Sequence, residues 1–321
     1  MISPRGRDGA LSVVNGVRAF GRRHRKLVAI GGSLLAAGVL AVVLAGHRHD
    51  FSTALASASL WVLLLATVLQ IVALLARTEA WHGCIEAAGG TVPRRLLFRA
   101  SSVGYVGSLL NSQLGVAARI AALRRSSPID APGISTLAAA ELPIMAVEAM
   151  FGALTSFTLI GPLGLPWWLP LVLLAVVGGL STGLRHLAQR TTRELWRGLL
   201  VLRCSRRGPR LVAFVMIAVL AQICRNWALL HGVGVHASFF DAIAVLIAMS
   251  TLCQLPIGPS VGAAATVLIL GRHGVAQAAA AGILSTATGI AGGLTFAAWA
   301  GADRIWTRNR PAAPVTHVTD G

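Results

Sequence analysis

Long apolar stretches alternate with arginine-rich breaks along this chain. The apolar runs lie near residues 27–46, 57–76, 134–160, 167–184, 211–230 and 275–300. An α-helix rises about 1.5 Å per residue, so a run of about 20 residues matches the ~30 Å hydrocarbon core of a bilayer. The pattern predicts six full transmembrane helices. The first run, 27–46, has a rival reading as a secretory signal peptide. It is longer than the apolar region of such a peptide and leads into His47, Arg48 and His49 rather than a small-residue cleavage site, which favours a retained helix.

Two further stretches are apolar only in patches. Residues 96–123 are interrupted by Ser101, Ser102, Gly104, Gly107, Ser108, Asn111, Ser112, Gln113, Gly115 and Arg119. Residues 239–271 break at LPIGPSVG, where Pro256, Gly258, Pro259 and Gly262 prevent a continuous helix. Non-helical backbone at membrane depth must be surrounded by protein or water. Because Arg95 and Arg99 precede the first stretch and Arg124 and Arg125 follow it, both of its ends belong on one side. Each stretch therefore reads as a re-entrant helical hairpin.

The two stretches also resemble each other. Setting Gly115 on Gly262 brings Arg125 onto Arg272, Leu123 onto Leu270, and Ala117 and Ala118 onto Ala264 and Ala265, while Arg77 falls beside Arg225. In each half, 57–160 and 211–300, a full helix precedes the hairpin and another follows. The first hairpin opens to the cytoplasm and the second to the outside. The expected fold is an all-α polytopic membrane protein, six full helices plus two re-entrant hairpins in an inverted repeat. That architecture puts a substrate site near the midplane, between the broken helices.

Composition agrees with a membrane location and changes the reading of the charge. Hydrophobic residues make up 55% of the chain, charged residues 12%, and the mean hydropathy is +0.72. A soluble domain carries about 25% charged residues, so an ordinary soluble enzyme is excluded. The net charge of +17 would suggest nucleic acid in a soluble protein. Here the arginines lie between apolar runs, where loops face anionic headgroups, so membrane lipids are the expected partner and nucleic acid is not. Cytoplasmic loops retain Lys and Arg. That rule puts the basic tail 1–26, the segment 77–125, the linker 185–210 and a disordered tail, 306–321, inside the cell. The expectation is a plasma-membrane protein with a membrane domain over 27–305 and both termini cytoplasmic. The linker interleaves Arg190, Arg193, Arg197 and Arg203 with Leu195, Trp196, Leu199 and Leu202, a surface-lying amphipathic helix or a solvated topology signal. Cys84, Cys204, Cys224 and Cys253 show no metal or disulfide spacing, and no cofactor motif occurs.

The intramembrane polar residues are few, and each needs a partner or water. Glu141 and Glu148 lie two helical turns apart on one predicted face, a proton or cation relay or structural acids paired with Arg119 or Arg225. The Arg119 guanidinium could clamp a lipid phosphate in two-pronged fashion, or snorkel outward with Arg124 and Arg125. Arg225, Asn226 and Gln222 form a second substrate-binding patch, with snorkelling again the rival. Asn111 and Gln113, like Gln254, flank the breaks and either meet substrate or satisfy freed backbone groups. Gly115, Pro256, Gly258, Pro259 and Gly262 shape the breaks.

Three motifs carry a family likeness: N-S-Q-L-G-x-x-x-R from Asn111 with Arg124 and Arg125 beyond it, AAAELPIMAVE around Glu141, and LPIGPSVG before a glycine-rich last helix. Over roughly residues 27–305 the chain resembles the lysylphosphatidylglycerol synthase transmembrane-region family. The resemblance implies a membrane-embedded, flippase-like module, fused in full-length synthases to an aminoacyl-transferase domain. No such domain follows Arg304 here, and no catalytic motif is recognisable, so aminoacylation is not expected. The chain departs from the family at Val116, where an acid is usual, at Leu142 after Glu141, where an arginine is usual, and at Ala263, Ala264 and Ala265, where a glutamate is usual. The expected function is translocation or binding of a lipid (phospholipid, glycolipid or polyprenyl phosphate), with anionic lipids as partners. The alternative is a non-transporting scaffold for an envelope-lipid enzyme.

Overall fold

The computed structural model describes residues 48–108, 112–126, 133–190, 207–253, 261–271 and 274–308. Among these residues every regular element is helical. A short helix, α1 (Arg48–Ser57), leads into α2 (Leu60–Ala87), and an antiparallel pair follows, α3 (Arg94–Ser108) and α4 (Ser112–Ser126). Next come α5 (Ile134–Ala139), α6 (Leu142–Thr155), a 3-10 turn over Ser156–Leu159, the single turn α7 (Ile160–Leu163), and α8 (Leu169–Arg190). The second half comprises α9 (Arg207–Gly232), the short α10 (Phe239–Leu252) and α11 (Val261–Leu270), and the long α12 (Val275–Arg308).

Five stretches are long and apolar enough to cross a membrane: Leu60–Ala87, Ile134–Leu163, Leu169–His186, Arg207–Gly232 and Val275–Trp306. They coincide with five of the six predicted spans. The sixth, 27–46, lies outside the described residues, as do most of the linker and all of the tail beyond Arg308. The predicted span 134–160 is helical but broken. Pro143 sits at the start of α6 and cannot donate a backbone hydrogen bond, so the helix parts at Ala140 and Glu141. Further on, the Ser156 hydroxyl donates to the Ala153 carbonyl at 2.7 Å and the Thr155 hydroxyl to Phe151 at 2.8 Å. Such back-bonding bends helices, and the chain tightens here into the 3-10 turn.

The paired helices are too short to span. At about 1.5 Å per residue, the 15 residues of α3 and of α4 reach only ~22 Å. Their contact is a glycine seam. A Cβ on Gly104 would stand 2.7 Å from the Arg119 Cβ, and one on Gly115 would stand 2.8 Å from the Gly104 carbonyl oxygen. Small residues let helix backbones touch where no water is available to drive association. Gly262 has the same use against a different neighbour, since a Cβ there would lie 2.6 Å from the Gly282 carbonyl oxygen of α12.

The two halves meet along α2 and α9, which run antiparallel. Gly232, at the end of α9, lies against Val62 near the start of α2 and accepts a hydrogen bond from Ser57 at 3.4 Å. Ala73 and Ala76 face Ala218 and Ala221 in a seam of small residues between them. One core cluster surrounds Trp81, Ile85, Leu97, Leu123, Leu137 and Ile144, and a second surrounds Ile223, Leu230, Ile269 and Leu270. Because α3 follows the end of α2 and α10 follows the end of α9, the two helix pairs begin at opposite ends of the bundle. Each also reaches the other half: α3 lies along α12, with Phe98 6.3 Å from Phe296, and Phe240 of α10 meets Phe157 at 6.0 Å. The end holding α3's start is strongly basic. Arg95 and Arg99 bind Asp303 at 3.3 and 2.6 Å, and Arg94 binds Glu79 at 3.4 Å.

Candidate functional site between the two halves

At the level where α2 crosses α9, four helices turn polar side chains inward. Gln70 comes from α2, Tyr105 from α3, Gln222, Arg225 and Asn226 from α9, and Ser285 from α12. Arg225 is at the centre and is 5% exposed. One terminal nitrogen donates to the Gln70 Oε1, and the other donates to the Ser285 carbonyl at 2.9 Å and hydroxyl at 2.6 Å. Gln222 also donates to the Gln70 Oε1, at 2.8 Å, and the Ser285 hydroxyl donates to Asn226 at 3.0 Å. Tyr105 crosses from α3 to donate its hydroxyl to the Gly289 carbonyl at 2.7 Å. Its ring lies where a side chain on Gly293 would stand, and Gln70 occupies the space beside Gly292. The glycines of α12 are thus the floor on which this network is laid.

A second polar cluster lies in the first half. Arg119 of α4 forms an ion pair with Glu141, at the break before α6, and its guanidinium sits 3.9 Å from the centroid of the Trp81 ring. Both charged groups are buried. Beside them Arg77 of α2 binds Glu148 of α6 at 2.7 Å, with side chains 44% and 28% exposed. Glu141 and Glu148 therefore answer to different arginines. Glu141 caps the α6 helix that carries Glu148, its carbonyl accepting from the Met145 N–H at 3.0 Å, so the two acids stay in one helical register while pairing separately. Of the two partners open to Glu141 in the sequence, Arg119 is the one it meets.

The structure brings Arg225, Asn226 and Gln222 together, and separately joins Arg119 to Glu141. Gly115 and Gly262 are backbone-contact glycines, as described above. Asn111, Pro256, Gly258 and Pro259 lie outside the described residues, and so do the side chain of Gln113 and all of Gln254. Four members of the central network were not anticipated: Gln70, Tyr105, Ser285 and Gly289. Gln70 left a signal as the lone amide within an apolar helix, and Tyr105 as the chain's single tyrosine. Ser285 left none, because serine is common on helices rich in small residues.

A family model described as the lysylphosphatidylglycerol synthase TM region matches residues 28–305. The chain belongs to this family. The match covers both polar clusters and all five membrane-length helices, so this member of the lysylphosphatidylglycerol synthase TM region family is a helical membrane protein in contact with lipid. Comparison with curated proteins and with solved structures found no match. Within the family match, the acid at the α6 break is the one that neutralises Arg119. Among the described residues, Arg225 has only neutral partners.

Proposed function

We propose that this protein binds a lipid and moves its headgroup across the bilayer through a polar path between two inverted halves. The observation that carries the reading is the buried network around Arg225, built at membrane depth from helices of both halves. Polar groups in a bilayer are costly, and those kept there usually mark a substrate or ion pathway. Family membership supports a lipid as the cargo.

The arrangement of helices supports alternating access. Each half runs a long helix, two short helices in contact with each other, and a further membrane-length stretch, broken in the first half at Ala140 and Glu141, and the leading helices are antiparallel. We read the two short pairs as re-entrant hairpins entering from opposite faces, with α2 and α9 at the pivot. The basic end, with Arg94, Arg95, Arg99, Arg124 and Arg125, is then cytoplasmic, in the plasma membrane. Cysteines placed singly at Ser126 and Ser238, in a background lacking the native cysteines, are expected to react with a membrane-impermeant maleimide from opposite faces. Labelling of both from one face would sink the inverted arrangement.

Transport itself is tested with fluorescent phospholipids in liposomes holding the purified protein. Dithionite added outside is expected to quench beyond the outer-leaflet fraction, and protein-free liposomes set the baseline. Quenching equal to that baseline, repeated with glycolipid and polyprenyl-phosphate probes, would overturn translocation.

A further inference from the structure

Two arginines are buried among the described residues, and they are not equivalent. Arg119 has a carboxylate against it and Arg225 does not. Every described carboxylate side chain is engaged elsewhere: Glu79 by Arg94, Glu86 by His82, Glu141 by Arg119, Glu148 by Arg77, and Asp303 by Arg95 and Arg99. Asp241 caps α10 by accepting from Ser238. Around Arg225 stand amides and hydroxyls, which accept its hydrogen bonds without cancelling its charge. Its Nε is buried and donates to no acceptor among the described residues. A guanidinium keeps its proton in proteins, so the charge cannot be relieved by deprotonation.

A buried guanidinium with an unused donor and no counter-ion among the described residues is an incomplete site. The missing element is an anion that reaches it from outside the chain. Arginine's planar donor set matches a phosphate oxygen pair better than a point charge would. The neutral acceptors Gln70 and Ser285 hold the guanidinium in place and would remain beside a bound phosphate. Tyr105 lies over the same region on its way to Gly289, so the site is covered from the α3 side.

We propose that Arg225 is the receptor for the phosphate of a lipid headgroup, which completes the site as its counter-ion, and that Tyr105 is the cover over it. This deepens the lipid reading and rests on it. It also makes the two halves unequal. The first half is neutralised within itself by Glu141, so the path has one anion station, on α9.

The test is lipid binding by the full-length protein in detergent, read by native mass spectrometry. Phosphatidylglycerol is the anionic probe, diacylglycerol the probe with chains and no phosphate, and inorganic phosphate the probe with phosphate and no chains. Wild-type protein is expected to retain one phosphatidylglycerol and no diacylglycerol, with phosphatidylglycerol binding at least tenfold weaker in Arg225→Gln and largely kept in Arg225→Lys. Equal binding by wild type and Arg225→Gln would overturn the assignment. Inorganic phosphate holding as tightly as phosphatidylglycerol would assign the site to a free anion and overturn its lipid part.

A second measurement needs no variant. A phospholipid with a photoreactive headgroup is expected to cross-link wild-type peptides carrying Gln70, Tyr105 or residues 285–293. Cross-links confined to the basic rim or to the Arg119 region would overturn the proposal. The outcomes separate it from transport: phosphatidylglycerol held at Arg225 without movement keeps the site, while movement with unchanged binding by Arg225→Gln removes it.

Discussion

Replacing Arg119 with methionine is expected to destabilise the folded protein by about 3–5 kcal/mol, the range seen when one partner of a buried ion pair is removed. Glu141 would be left buried and uncompensated beside the apolar cluster of Trp81, Ile85 and Leu137. The cation–π contact with Trp81, worth about 0.5–2 kcal/mol in general, is lost as well. The decisive variant is the double replacement, Arg119→Met with Glu141→Leu. Exchange of a whole buried pair for apolar side chains is often neutral or stabilising, so the double variant should recover most of the loss. Cys84 lies fully buried in the same cluster, and its reaction with a thiol-sensitive dye, as the sole cysteine, reports unfolding directly. A double variant as damaged as the single one would mean that Arg119 has a partner other than Glu141. Recovery of the fold without loss of lipid movement would mark the pair as a structural strut.

The same pair illustrates what could be read from the chain. Apolar runs of bilayer length identified the five helical stretches long and apolar enough to cross a membrane, because length and hydropathy are properties of a segment by itself. The glycines of the first helix pair were legible for a similar reason, since a polar and glycine-rich stretch has no place on a lipid-facing helix. Pro143 was equally visible, yet 134–160 was expected as one helix, and the break comes at Ala140 and Glu141, just ahead of it. Partner choice was not legible. Arg119 and Arg225 are both lone charges in apolar surroundings, and only the fold decides which one Glu141 reaches.

Gln70 shows the intermediate case. An uncharged amide inside α2 attracts little notice, but it accepts from both Arg225 and Gln222 and so organises the central site. Tyr105 is further from reach. Its role depends on α3 lying along α12 and on Gly293 leaving room for its ring, two facts about helices far apart in sequence. What the chain encodes locally is the wish of each polar group for a partner. The identity of the partner is a property of the packed bundle.

Gly282→Val is expected to cost about 3 kcal/mol or more, above the roughly 1–3 kcal/mol of ordinary overpacking, because its added atoms meet backbone rather than side chain. A Cβ on Gly282 would stand 2.5 Å from the Ala263 Cα and 2.6 Å from its nitrogen. Neither atom can rotate away, so α11 must lift from α12. That movement uncovers Ala265, Ile269 and Leu270, which are buried in the second core, and the buried Val261 beside them. Gly183→Val is the control, since nothing lies within 4 Å of a Cβ at that position on α8. Helix α8 buries none of its apolar window, and the control should fall within about 0.5 kcal/mol of wild type. Thermal unfolding in detergent compares the three proteins. A valine at 282 as benign as one at 183 would mean that α11 does not rest backbone to backbone on α12, and the anchoring of the second short pair would have to be sought elsewhere.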